Sequence, residues 1–185
     1  MINLTPLARA VFRHRVTESL RWVNRCEKVQ REQLAWLIKC ARGTHWGATY
    51  RYGELSSYED FAQMVPVSSY EDIAPWIKRQ LDGERNVLWR GQVNRFAQSS
   101  GTSNGKSKYI PITDDALHRC HYKGAGDAVA HYLLLYPDSR MFSGKGFILG
   151  GSFANEVKDL RRNAMVGDLS AHLIDKVNPL VNMVR

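Results

Sequence analysis

Residues Ser99 to Ile112 read SSGTSNGKSKYIPI, and the fold of the chain turns on the segment after the glycines. A Walker A loop, G-x-x-x-x-G-K-[ST], runs directly into a helix whose N-terminal amides complete a phosphate cradle. Here only three residues separate Gly101 from Gly105, one fewer than that loop needs. The next segment, Lys108-Tyr109-Ile110-Pro111-Ile112, is apolar and carries a proline, so it reads as extended. Val93 to Ala97 on the other side also reads as a strand, as does Val87-Leu88-Trp89. Strand–loop–strand with short spacing excludes a P-loop nucleotidase.

The loop still suits phosphate. Ser99, Ser100, Thr102 and Ser103 supply hydroxyls, and Gly101 and Gly105 let main-chain N–H groups face a ligand unobstructed. Lys106 and Lys108 add positive charge, and Asn104 tolerates a tight loop tip. A polar surface loop of the same composition is the plain alternative.

Before the loop, helices dominate. Thr5 as N-cap and Pro6 at the first position start a helix to about Cys26, with Leu7, Val11, Leu20 and Val23 as its apolar positions. A second helix spans about Val29 to Ala41, turns Leu34, Leu37 and Ile38 inward and stops at Gly43. Thr44 to Gly53 reads as a packed loop. Ser56-Ser57-Tyr58-Glu59-Asp60 is echoed by Ser68-Ser69-Tyr70-Glu71-Asp72, two short helix caps with serine three residues before aspartate. The second of these helices runs to Leu81, with Pro75 in its early turns and Gly83 beyond its end. Past the loop, Thr113-Asp114-Asp115 opens a long helix to Tyr136, with Gly124 and Gly126 as bending points. Lys145 to Gly151 reads as a buried strand, and Ser170 to Lys176 as helix.

Composition limits the rest. At 185 residues and 44% hydrophobic, the chain can bury a core as one domain of mixed α/β class. No apolar run is long enough to span a bilayer, and Arg9, Arg13 and Arg15 occupy the place of a secretory signal's apolar segment, so the expectation is cytoplasmic. Cys26, Cys40 and Cys120 form no C-x-x-C pair, which argues against a zinc site or a disulfide framework. The net charge of +8 is concentrated early, at Arg9, Arg13, Arg15, Arg21, Arg25, Lys28 and Arg31. A basic helical module that binds nucleic acid is one reading of that run; a solvated helix face is the other. His118 and His121 share a helix face, but with Cys120 turned away they make no full ligand set. Ala128, Tyr132 and Leu135 form an apolar face suited to core packing or to an acyl pocket.

The segment Ser99 to Pro111 resembles the nucleotide-binding motif of the auxin-responsive Gretchen Hagen amido synthetases, in the firefly-luciferase-like acyl-adenylate-forming superfamily. Thr44-His45-Trp46-Gly47, the helix ending in Pro66 and Gly167-Asp168-Leu169-Ser170-Ala171 also look like that family's N-terminal portion. The resemblance implies an ATP-dependent ligase with Mg²⁺. It joins a small carboxylic acid to an amino acid through an acyl-adenylate. On motif position, Ser99, Ser100, Gly101, Thr102, Ser103, Gly105 and Lys108 would line the triphosphate, with Lys106 beside them; no nucleophile is implied. The implied organisation is a partial N-terminal adenylation domain over 1–185. Within it, 1–43 is a helical lead-in, and 84–151 holds the nucleotide loop, the long helix and a strand. The family's second and third nucleotide motifs and its C-terminal domain are not found in this sequence. The chain is therefore expected to be an N-terminal fragment, inactive alone and prone to self-association through an uncovered face.

Overall fold

The computed structural model describes residues 2–99, 107–144, 149–153 and 164–175. They fall into two compact units, one built from Lys28–Thr113 and Gly151–His172, the other from Met1–Glu27, Asp114–Gly150 and Leu173–Arg185. The class is mixed α/β, largely helical with a small sheet, as the sequence implies.

The first of these units holds the sheet. Strands β1 (Arg95–Gln98) and β2 (Tyr109–Ile112) pair antiparallel with Phe96 opposite Pro111, and β3 (Met165–Gly167) lies parallel to β1 on its other side. The order β2-β1-β3 leaves β2 at an edge, where a strand can carry proline. Phe96, fully buried on the central strand, packs with Ile77, Val93 and Val166. The carbonyl of Phe96 also accepts from Nε2–H of buried His172, at 3.0 Å. Gly167 lets the chain at Phe153 bridge to β3: a Cβ there would lie 2.6 Å from the Ser152 carbonyl oxygen.

Helices precede this sheet in the sequence. The long helix α2 (Arg21–Ala41) begins earlier than expected and is kinked at Arg25, close to the break anticipated between Cys26 and Val29. Leu37, read as inward, is 39% exposed. The expected loop after Gly43 contains a short helix, α3 (His45–Thr49), capped by the side chain of buried Thr44. Its Trp46 contacts the rings of Tyr50 and Trp76 and donates to the Tyr52 hydroxyl. Val87-Leu88-Trp89 is not a strand. The carbonyls of Asn86 and Val87 accept instead from the N–H groups of His45 and Trp46, two of the amides a helix start leaves unpaired.

The echoed serine motifs are capping boxes on α4 (Tyr58–Met64) and α5 (Tyr70–Leu81). Ser57 accepts from the Asp60 amide and Ser69 from the Asp72 amide, while each aspartate reaches back to the cap. The Ser56 hydroxyl, helped by the Ser56 and Ser57 amides, holds the Asp60 carboxyl down to about 2. The Ser69 hydroxyl and amide likewise lower Asp72. A lowered carboxyl stabilises the fold above its unfolded pKa, near 4, and that contribution fades as pH falls through its folded value. Acid unfolding monitored by circular dichroism is therefore expected to lose one stabilising step between about pH 4 and 2 in Asp60→Asn. Ser57→Ala and Ser69→Ala are each expected to cost about 1 kcal/mol in urea unfolding at neutral pH.

In the other unit, α1 (Thr5–Ser19) packs on α7 (Tyr122–Leu135). Thr5 is buried inside the first turn and is not the N-cap; its amide donates to Asn3 and its hydroxyl accepts from the Phe142 amide. Leu7, Val11, Leu20 and Val23, the expected apolar face, are all exposed. The packed face instead mixes apolar and polar groups: half-buried Phe12 lies against Gly126, where a Cβ would stand 3.5 Å from its ring, Arg15 pairs with Asp127, and Ser19 Oγ lies 2.7 Å from His131 Nε2. The long helix after β2 is interrupted, though not at its glycines. A short turn, α6 (Asp114–Ala116), leads into a π-helical turn at Leu117–His121, where the Tyr122 amide bonds to the Leu117 carbonyl. On α7 the buried residues are Ala130 and Leu133, whereas Ala128, Tyr132 and Leu135 are exposed and are not packed into a core. Of the expected strand at 145–151, positions 145–148 lie outside the described residues, and Leu149 is 86% exposed with no strand pairing. The helix expected over Ser170 to Lys176 is α8 (Leu169–Asp175), close to its expected span; Lys176 lies outside the described residues.

Candidate functional site: the root of the β1–β2 loop

The two strands that flank the serine- and glycine-rich loop form a hairpin, and its last rung lies beyond them. The Ser99 amide donates to the Lys108 carbonyl at 2.9 Å. The return bond, from the Lys108 amide, goes to the Ser99 hydroxyl at 3.0 Å. The ladder thus hands over from main chain to side chain at Ser99, where the strand becomes loop. Ser99 and Lys108 are brought together as the two posts of that loop. Ser100, Gly101, Thr102, Ser103, Gly105 and Lys106 lie outside the described residues.

Lys108 sits against α5. Its ammonium is 4.0 Å from the Glu71 carboxylate and 5.0 Å from the centroid of the Tyr70 ring. Its side chain is about a third exposed, so the charge is ordered without being sealed from solvent. Sequence alone does not mark Tyr70 or Glu71 as site residues, because a helix cap fully explains the echoed motif. The one signal pointing to them is an aromatic and an acid in the first turn of a helix that must pack somewhere near a lysine-bearing strand.

The Gly167-Asp168-Leu169-Ser170-Ala171 segment forms the end of β3 and the start of α8. The Gly151 amide donates to Ser170 Oγ at 2.8 Å, and the Ser152 amide to Asp168 at 3.2 Å. This segment therefore fastens residues 151–153 beside the sheet.

The root thus presents a hydroxyl, Ser99 Oγ, bonded to the Lys108 amide, and an ammonium, Lys108 Nζ, set against Tyr70 and Glu71. For a divalent metal the described residues offer no group of three His, Cys, Asp or Glu side chains, His118 and His121 included. The basic run is largely committed within the chain. Arg9 donates to the Pro137 carbonyl, Arg15 pairs with Asp127, Arg21 with Glu18 and Lys28 with Glu32. Among the described residues, no helix is long and apolar enough to cross a membrane.

The fold is one found in acyl acid amido synthetases. A solved GH3.15 acyl acid amido synthetase superposes with a TM-score of 0.68 at 22% identity, over 96% of this chain and 30% of that one. A second structure, AtGH3.15 in complex with 2,4-DB, gives a TM-score of 0.70 at 19% identity, over 95% of this chain and 29% of that one. The chain belongs to the GH3 family: the model of the GH3 family N-terminal domain matches residues 16–178. Among curated relatives, indole-3-acetic acid-amido synthetase GH3.17 of Arabidopsis thaliana is 34% identical over 95 residues, which is 50% of this chain and 16% of that protein. Indole-3-acetic acid-amido synthetase GH3.8 of Oryza sativa subsp. indica is 33% identical over 120 residues, 62% of this chain and 20% of that protein. The jasmonoyl–L-amino acid synthetase GH3.5 of Oryza sativa subsp. japonica is 28% identical over 91 residues, 49% of this chain and 16% of that protein. The chain thus matches a fifth or less of these relatives' length.

Proposed function

We propose that this chain contributes the phosphate-holding loop of an ATP-dependent ligase that joins a small carboxylic acid to an amino acid. In this reading 1–185 is part of an adenylation domain, with 1–43 its helical lead-in and 84–151 the region of the nucleotide loop. The observation that carries it is the hairpin root: in a GH3 chain, Ser99 and Lys108 are cross-bonded at the mouth of a loop rich in hydroxyls and glycines.

The chemistry comprises two transfers. The acid's carboxylate attacks the α-phosphorus of ATP, forming the acyl-adenylate and expelling pyrophosphate. The amino acid's amine then attacks the acyl carbon, forming the amide bond and expelling AMP, while the amine loses a proton. Negative charge accumulates on the leaving pyrophosphate in the first transfer. Lys108 would face that charge with its ammonium, and Ser99 with its hydroxyl, alongside Ser100, Gly101, Thr102, Ser103, Gly105 and Lys106 of the loop. Their work is positioning and charge stabilisation, with no acid–base step. Mg²⁺ would supply further charge neutralisation on the phosphate oxygens. The reading places the protein in the cytoplasm, where ATP and free amino acids meet.

Thermal unfolding with and without Mg-ATP tests it. The wild-type midpoint is expected to rise by about 5–10 °C when nucleotide is about 100-fold above its Kd. Lys108→Ala, which changes a partly exposed side chain, is expected to unfold normally and to lose most of that rise. An unmoved wild-type midpoint would count against the reading.

A further inference from the structure

Among the described residues β2 is an edge strand of its sheet, and its main-chain groups alternate in direction. Because Lys108 bonds to Ser99, residues Lys108, Ile110 and Ile112 face β1, and Tyr109 and Pro111 turn their main-chain groups outward. Pro111 has no N–H to leave unpaired there. Tyr109 has one, and the hydroxyl of Tyr70 serves both its polar groups. That hydroxyl accepts from the Tyr109 amide at 2.8 Å and faces the Tyr109 carbonyl, as donor, at 3.4 Å. The same ring carries Lys108 on its face, within cation–π range. Glu71, the next residue, reaches the ammonium at the outer limit of an ion pair. Both side chains stem from the first turn of α5, whose start is fixed by the Ser69–Asp72 capping box.

We propose that Glu71 sets the nucleotide affinity of the loop: its carboxylate holds Lys108 on the face of Tyr70 and is exchanged for a phosphate oxygen when a triphosphate binds. The inference rests on the phosphate-holding reading of the loop. A carboxylate and a phosphate compete for the same ammonium, so the acid lowers affinity. It also keeps the lysine in one place, which reduces the side-chain entropy lost on binding. The pair is exposed enough to open readily, with side-chain exposures of 36% for Lys108 and 65% for Glu71. Tyr70 is a positioning residue, acting through Tyr109 and Lys108.

Calorimetric titration of Mg-ATP into the wild-type chain, Glu71→Gln, Tyr70→Phe and Lys108→Ala tests the exchange. Glu71→Gln is expected to bind about two- to fivefold more tightly, the range of an exposed ion pair. Damage to the fold would weaken binding, so this direction cannot be imitated by misfolding. Tyr70→Phe keeps the ring and is expected to weaken binding about fivefold while speeding hydrogen exchange at the Tyr109 amide. The inference alone is overturned if the wild type binds, Lys108→Ala does not, and Glu71→Gln binds equally or more weakly. A wild type that does not bind Mg-ATP overturns the reading of the loop and this inference with it.

Discussion

Phe96→Ala is expected to destabilise the sheet-bearing unit by about 3–5 kcal/mol, measured by urea unfolding. Phe96 is fully buried at the middle of the central strand. Its ring is packed by Ile77 from α5, Val93 and Val166, with Tyr70, Ile73, Leu81 and Tyr109 around them. Truncation would remove most of a large apolar side chain and leave a cavity that strands held on both sides cannot collapse to fill. A loss of that size is a large share of the roughly 5–15 kcal/mol by which folded proteins are stable. The effect should reach the loop, because Tyr70 and Tyr109, which brace its root, belong to the same cluster. Phe96→Leu, which keeps most of the volume, is expected to cost about 1.5 kcal/mol or less.

Gly47→Ala is expected to be nearly as severe, at about 3 kcal/mol, although it adds a single methyl group. A Cβ at position 47 would stand 2.2 Å from the Ala41 carbonyl oxygen and 2.9 Å from the Arg42 Cα. Both are backbone atoms, so no side-chain rotation relieves the clash. The turn around it is tightly bonded: the Thr44 hydroxyl donates to the Ala41 carbonyl at 2.6 Å and accepts from the Gly47 amide at 2.9 Å. Opening that turn would also pull His45 and Trp46 from the carbonyls of Asn86 and Val87. By contrast, Gly53→Ala meets nothing within 4 Å and is expected to change stability little in the same urea unfolding measurement.

What the sequence reveals and what it hides divide along a physical line. Ser57 with Asp60 and Ser69 with Asp72 are legible because a cap is complete within four residues. The hairpin is legible because Pro111 forbids helix and the loop before it demands a turn. Elements whose partners are far along the chain are not. Val87 has the apolar character of a strand residue and is fully buried, yet its carbonyl bonds to the start of α3, far earlier in the chain. β3 has only three residues and no pattern of its own; it exists because β1 lies beside it. On α1 the leucine and valine stripe suggests the packed face, but Phe12, Arg15 and Ser19 face α7, and a search for apolar periodicity passes over a face on which polar side chains alternate with apolar ones. The π-helical turn at Leu117–His121 has no glycine or proline to announce it.

The candidate site shows the same division. Ser99 and Lys108 are legible through their motif, and the structure joins them by two hydrogen bonds. The α5 residues against the lysine are not. Tyr70 and Tyr109 stand on either side of β1 in sequence and meet only through the fold.

A segment Ser99 to Lys108 that holds the β- and γ-phosphates of ATP should recognise the pyrophosphate end of the nucleotide rather than its nucleoside end. The decisive experiment is a titration of Mg-ATP into the 185-residue chain at physiological salt, repeated with inorganic pyrophosphate present and with AMP in place of ATP. Saturable Mg-ATP binding that pyrophosphate competes away, that AMP does not reproduce and that Lys108→Ala abolishes is the expected result. Binding of AMP as tight as that of Mg-ATP, or Mg-ATP binding unchanged in Lys108→Ala, would contradict it.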